Sequence, residues 1–374
     1  MSRLQAMEEY GQAIWLDYIR RDILLDGTLA KMIAEDGVSG LTSNPAIFQK
    51  AIGESDLYDD AIRQALEKDG EVSVETLYEE LAVEDIQMAA DLLLGKYRET
   101  DARDGYVSLE VSPHLARDTS ASVQEAQRLW AKVGRENLLI KIPATAEGIP
   151  AIEELLSEGI NVNVTLMFSL AHYEAVAQAY LRAVPRCPQP EKLASVASFF
   201  VSRVDSKADK ILEALGTSEA GALMGKVAIA NSKLTYLRYQ ELFCNSQFQI
   251  WRDQGVRPQR VLWASTSTKN PAYRDVIYIE ELIGPETVNT VPPQTLDAFR
   301  DHGEVQSTLM VKVGEAQAQL AALAALGIDL DQITEDLQTE GVEKFAQPYD
   351  ALLASLDAKR VQIAAARAAG AIVE

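Results

Sequence analysis

Eight short runs of β-forming residues, separated almost throughout by segments of helical periodicity, predict an α/β chain closed into a (β/α)8 TIM barrel with additional helices, including a helical C-terminal tail. Three observations carry that prediction. The strand and helix signals alternate, and parallel neighbours need helical crossovers. No stretch rich in Pro, Ser or Gly divides the 374 residues, so one large domain is favoured over two. The first run leads into Trp15-Leu16-Asp17-Tyr18, not the Gly-rich phosphate turn more often found in a doubly wound open sheet, which is the competing architecture.

In chain order the strands are expected at residues 14–17, 40–43, 106–112, 138–143, 161–167, 195–201, 260–266 and 287–291. Between them, residues 83–98 place Ile86, Ala89, Ala90, Leu93, Leu94 and Tyr97 at helical spacing, and residues 175–181 continue as a helix after the fifth strand. A barrel of this class uses about 250 residues. The surplus goes into the connection 49–105 and the tail after Gly303. That tail predicts helices over 315–326, which is rich in Ala and Leu, and 349–363, where Leu352, Leu353, Leu356 and Val361 form an apolar stripe. The chain is thus expected to be one domain, residues 1–374, with 304–374 a helical extension packed on the barrel.

The 35 basic and 56 acidic side chains leave a net charge of −21. Such a field repels polyanions, which argues against nucleic-acid and anionic-membrane partners, and a small anionic substrate needs its own basic pocket. Cys187 and Cys244 show neither CxxC spacing nor a disulfide framework, which fits a reducing compartment. The first ten residues lack a signal-peptide core, and the apolar stretch 320–326 is far short of the ~20 residues that cross a bilayer. A cytoplasmic protein, monomeric or homodimeric, is expected. His114, His172 and His302 match no metal-ligand spacing, so no metal site is expected.

The expected strands end in polar residues, and active sites of this class lie at C-terminal strand ends. Asp17 ends the first, Asn44 follows the second, Glu110 sits in the third, Lys141 in the fourth, Asn163 and Thr165 in the fifth and Ser198 in the sixth. Alternation puts Asn161, Asn163 and Thr165 on one face, with Val162, Val164 and Leu166 toward the outer helices. Lys141 interrupts the apolar run 138–143. Read blandly it is an edge lysine whose stem snorkels to water. Read functionally it is a desolvated amine that attacks a carbonyl and forms a Schiff base, with Asp17, Glu110 and Thr165 to move protons. Asp17 and Glu110 have bland readings as well, as helix caps or partners of an arginine such as Arg20; Asn44-Pro45 reads equally as a turn, and Phe199 and Phe200 as core.

At this point the residues resemble the transaldolases. The matching motifs are Ile14-Trp15-Leu16-Asp17, Gly40-Leu41-Thr42-Ser43-Asn44-Pro45, Ser108-Leu109-Glu110-Val111-Ser112-Pro113 and Ile140-Lys141-Ile142-Pro143-Ala144-Thr145. Further along stand Asn161-Val162-Asn163-Val164-Thr165-Leu166-Met167-Phe168-Ser169, Ser198-Phe199-Phe200-Val201-Ser202-Arg203, Trp263-Ala264-Ser265-Thr266-Ser267-Thr268-Lys269-Asn270-Pro271 and Asn289-Thr290-Val291-Pro292-Pro293. The resemblance implies a barrel enzyme with Lys141 as imine-forming nucleophile, Glu110 with Thr165 shuttling protons through a water, and Asp17 as the base at the C4 hydroxyl of a ketose phosphate. It implies that Asn44, Asn163 and Ser198 hold hydroxyls, that Phe200 lines the site, and that Arg203 and Lys269 meet the phosphate. Many relatives carry Arg where Lys269 stands. Neither metal nor organic cofactor is implied.

Two other functions compete. A Schiff-base aldolase cleaves without transfer, and such enzymes place Tyr and Gln where this chain has Phe200 and Glu110. A catalytically dead barrel would serve binding or assembly, which Asp17, Glu110 and Lys141 together argue against.

Overall fold

The computed structural model describes residues 2–371. Eight parallel strands close in sequence order: β1 (Gln12–Asp17), β2 (Val38–Thr42), β3 (Tyr106–Glu110), β4 (Leu138–Pro143), β5 (Val162–Met167), β6 (Ser195–Phe200), β7 (Arg260–Ala264) and β8 (Thr287–Val291). Closure is made by β8 against β1, in register from Gln12 opposite Thr287 to Leu16 opposite Val291. Every strand is buried almost end to end, as expected where helices cover the outside.

The strands stop short of several expected ends. Ser43, residues 111–112, Val201 and residues 265–266 have left the ladder. Their groups still bond to the neighbouring strands: the Ser43 hydroxyl donates to the Ser108 carbonyl at 2.7 Å, and the Val201 N–H donates to the Ala264 carbonyl. Asn161 lies just before β5. Its amide donates to the Glu136 and Leu138 carbonyls and accepts from the Ala194 N–H, so it seals the N-terminal edge of the barrel.

Two local features follow from side-chain size and backbone angle. A Cβ on Gly40 would lie 2.4 Å from the Trp15 indole, so β2 passes that ring only as glycine. Leu166 adopts φ +60°, and the β5–β6 register shifts between Val164 and Met167. Leu166 was expected against the outer helices. The irregularity instead brings it to Gly341 in the helix Leu330–Ala371, where an added Cβ would meet Leu166 Cδ2 at 2.9 Å.

The expected 83–98 helix spans Val74–Glu99, starting where the Ser73 hydroxyl accepts the Thr76 N–H at 3.2 Å. The tail holds helices Val313–Ala325 and Leu330–Ala371. The second runs on through Pro348, where the sequence pattern predicted a start. Proline removes its own N–H from the ladder, and tertiary contacts on both sides hold the helix across that gap. The Gln338 amide donates to the Ala144 and Leu166 carbonyls at 2.9 and 3.1 Å, above the ends of β4 and β5. Lys207 pairs with Asp336 and Glu340, and beyond Pro348 Lys359 pairs with Asp59 and Arg360 donates to the Val72 carbonyl. No helix among the described residues is long and apolar enough to cross a membrane.

Candidate active site

A cavity of about 680 Å³ opens at the C-terminal ends of the strands. Eight of the ten residues singled out in the sequence line it: Asp17, Asn44, Lys141, Thr165, Ser198, Phe200, Arg203 and Lys269. The ladder sets their neighbours, since Glu110 pairs opposite Lys141, Lys141 opposite Asn163, and Pro143 opposite Thr165.

Lys141 is 5% exposed, so its amine is held inside and does not snorkel. Its Nζ lies 3.4 Å from Glu110 Oε2 and donates to the Ser43 carbonyl at 3.0 Å. Burial pushes the Glu110 carboxyl up to about 7, against the opposing pull of the Lys141 charge. Glu110 reaches Lys141 from behind, its other side bordering an adjoining cavity of about 330 Å³. Glu110 Oε2 and Thr165 Oγ1 are both buried without a hydrogen-bond partner among the described residues.

Asp17 faces the cavity from β1. Burial raises its pKa, offset in part by Lys141, by a hydrogen bond from Thr42 and by Arg203 and Lys269. The Thr42 hydroxyl donates to Asp17 Oδ1 at 2.8 Å and lies 2.6 Å from the Thr290 hydroxyl. Having one proton, Thr42 accepts from Thr290 when it donates to Asp17. Arg20 pairs with Asp22, which leaves Asp17 free of the arginine partner considered for it.

Asn163 is bonded to its neighbours on β3 and β6. It is fully buried and outside the cavity lining, with its Nδ2 donating to the Ser108 hydroxyl at 2.9 Å and its Oδ1 accepting from Ser198 at 2.6 Å. Its Oδ1 positions Ser198. Asn44 combines both readings given to it, since it lines the cavity while its Oδ1 accepts the Ile47 N–H at 3.1 Å. Phe199 is core, in edge contact with Trp263, whereas Phe200 faces the cavity.

The Phe200 ring packs 5.1 Å from Phe168, with the Arg203 guanidinium 5.1 Å from its centre. Arg203 Nη1 is buried and unpartnered among the described residues. Burial lowers the pKa of both Arg203 and Lys269, and the Arg203 charge lowers Lys269 further. Lys269 Nζ donates to the Ser267 hydroxyl at 2.6 Å. Two cations facing one cavity without a bound carboxylate form the local basic pocket that this acidic chain required of any anionic ligand.

Several lining residues were missed in the sequence. Phe345 places its ring 5.5 Å from Lys141 Nζ, and Lys344, Lys50, Tyr18 and Gln294 complete the rim. Among the described residues no group of three or more His, Cys, Asp and Glu side chains is arranged to hold a metal ion. His114, His172 and His302 pair separately with Asp350, Glu335 and Asp275.

A closed parallel barrel with a buried lysine between buried carboxylates at the C-terminal strand ends is the arrangement of a barrel enzyme. Residues 14–356 match the family model described as Transaldolase/Fructose-6-phosphate aldolase. The chain is 49% identical over 360 residues to the transaldolase of Thiobacillus denitrificans, covering 95% of this chain and 100% of that one. It is 47% identical to the transaldolase of Frankia alni, with 94% and 96% covered, and 43% identical to that of Trichodesmium erythraeum, with 96% and 97% covered. The chain belongs to the transaldolase and fructose-6-phosphate aldolase family, and is an enzyme of the class that transfers aldehyde or ketone residues.

Proposed function

We propose that this chain is a transaldolase of the non-oxidative pentose phosphate pathway. It moves a dihydroxyacetone unit from fructose 6-phosphate or sedoheptulose 7-phosphate to erythrose 4-phosphate or glyceraldehyde 3-phosphate through a Schiff base on Lys141. The observation that carries this reading is the buried Lys141–Glu110 pair at 3.4 Å. A carboxyl pushed up to about 7 by burial is suited to take and return a proton beside an amine.

Lys141 Nζ attacks the C2 carbonyl and gives a carbinolamine. Glu110, through a water held with Thr165, delivers the proton with which the C2 hydroxyl leaves as water, and the iminium remains. Asp17 takes the proton of the C4 hydroxyl. The C3–C4 bond breaks, its electron pair enters the iminium to form an enamine, and an aldose phosphate departs. The enamine carbon then attacks the acceptor aldehyde, Asp17 returns the proton to the new hydroxyl, and water hydrolyses the imine. Asn44 and Ser198 hold substrate hydroxyls, Asn163 acts by fixing Ser198, and Arg203 and Lys269 bind the phosphate. Phe200 favours transfer over the aldolase reading, because its ring brings no hydroxyl to orient water at the enamine.

The same reading treats the chain as one domain, with residues 304–374 as an extension strapped over the site by Gln338 and Lys207. It places the enzyme in the cytoplasm, with sugar phosphates and neither nucleic acid nor membrane as partners, and needs no cofactor. Borohydride added with fructose 6-phosphate is expected to reduce the imine and mark Lys141, as peptide mapping would show, and Lys141→Arg is expected to be inactive. A label on another lysine, or none with active enzyme, would refute the assignment.

A further inference from the structure

At the opposite end of the barrel a second cavity, of about 340 Å³, lies beneath the N-terminal ends of β3, β4, β6 and β7. Its strand residues include Tyr106, Leu139, Ser195 and Arg260, and its rim is formed by residues 100–103, Arg252, residues 255–258 and Glu286. It shares no lining residue with the catalytic cavity: on β4 Leu139 lines the lower one and Lys141, two residues on, the upper.

Four arginines meet here, Arg103, Arg252, Arg257 and Arg260. Elsewhere many of this acidic chain's arginines pair with carboxylates at close range, as with Arg128 to Glu125, Arg135 to Asp91, Arg182 to Glu153 and Arg274 to Glu280. In the lower cavity Arg260 is held by Asp104 at 2.9 Å. Arg103 stands 3.6 Å from Glu286. Arg257 donates to the carbonyls of Glu191 and Asp101, and Arg252 donates to the Phe243 carbonyl with its guanidinium 5.6 Å from the Phe248 ring. Neither Arg252 nor Arg257 has a carboxylate at ion-pair distance among the described residues. Asp101, Ala102 and Glu286, at this same rim, have φ of 52°, 58° and 56°, left-handed backbone that side chains adopt at a cost.

We propose that this cavity is a second anion site, which takes a compact phosphate-bearing molecule carrying two or more negative charges. Its oxygens face the guanidinium forks of Arg252, Arg257 and Arg103, whose planar donors match phosphate geometry. The carboxylates of Asp101 and Glu286 at the rim offset part of this positive charge, and a ligand with two or more negative charges gains more from the remaining excess than a singly charged one does. The site does not depend on the transaldolase reading.

Inorganic pyrophosphate is the probe, titrated calorimetrically into the full chain carrying Arg203→Ala and Lys269→Ala, which lacks the basic groups of the upper cavity. Saturable binding near one equivalent is expected, weakened at least fivefold by adding either Arg252→Gln or Arg257→Gln. Arg257 also ties two loops by their carbonyls, whereas Arg252 makes a single long backbone contact, so Arg252→Gln decides should Arg257→Gln fail to fold. Absence of pyrophosphate binding in the double variant, or binding that Arg252→Gln weakens less than fivefold, would overturn the proposal.

Discussion

Arg203 and Lys269 are each made less basic by burial, and the first depresses the second. A phosphate dianion between them removes the repulsion and supplies the partner that Arg203 Nη1 lacks among the described residues. A charged hydrogen bond is worth ~1.5–3 kcal/mol, so Arg203→Ala and Lys269→Ala are each expected to lower kcat/KM for fructose 6-phosphate by roughly ten- to hundredfold. Activity on unphosphorylated fructose as donor, with an unphosphorylated aldehyde as acceptor, should change little. Equal losses on both donors would assign these residues to the fold. Both cations entered the sequence reading through the resemblance to the transaldolases, in the motifs that follow the sixth and seventh strands. Lys141 was legible directly, as a charge inside an apolar strand. Asn163 was placed on the correct face, but its amide is used by Ser108 and Ser198, and pairings of that kind across three strands leave no local mark. Phe345 was missed because it stands about two hundred residues beyond Lys141 on a helix whose pattern reads as ordinary packing.

At the level of elements, the strands could be read to within a few residues because burial on both faces gives continuous apolar runs broken only at the site. The helix Leu330–Ala371 could not, since Pro348 signals a boundary and the contacts that override it come from distant loops. That helix roofs the catalytic cavity. Gln338 anchors it to the carbonyls above β4 and β5, and Phe345, 5% exposed, closes over Lys141. On the proposed Schiff-base mechanism, a ring in this place keeps water from the enamine while an acceptor arrives. Phe345→Leu keeps an apolar side chain there, and the fold should survive. It is expected to raise acceptor-free release of dihydroxyacetone from fructose 6-phosphate severalfold relative to transfer to erythrose 4-phosphate. An unchanged ratio in a folded Phe345→Leu enzyme would mean that the helix serves stability alone.

Across the whole molecule the pH dependence of stability has two origins that salt can separate. The chain carries a net charge of −21, and its surface ion pairs and His302, whose pKa is raised by the hydrogen bonds it makes to Asp275 and Asp301, face solvent where salt screens them. Inside, burial pushes two carboxyls, Glu110 and Asp205, up to about 7 from ordinary values near 4. Asp205 accepts from the Ala228 N–H and from the Tyr278 hydroxyl, and its burial outweighs both bonds. A carboxyl with a raised folded pKa binds a proton in the native state that the unfolded chain has already released. Its contribution is therefore complete below the unfolded pKa and is lost as pH rises through about 7. Carboxyls lowered by salt bridges, such as Asp22 and Glu79, have the opposite sign and act below about pH 4.5. Unfolding by urea at about 0.5 M salt is thus expected to show stability falling from pH 5 to pH 8. Glu110→Gln and Asp205→Asn, which remove one titrating group each, should flatten that fall, and together more than either alone, because the two sites lie on different elements and share no hydrogen-bond partner. A slope that persists unchanged in the double variant would place the pH dependence on other groups, the surface charge or the likewise raised Asp17 and Asp85, and leave Glu110 and Asp205 without a role in it.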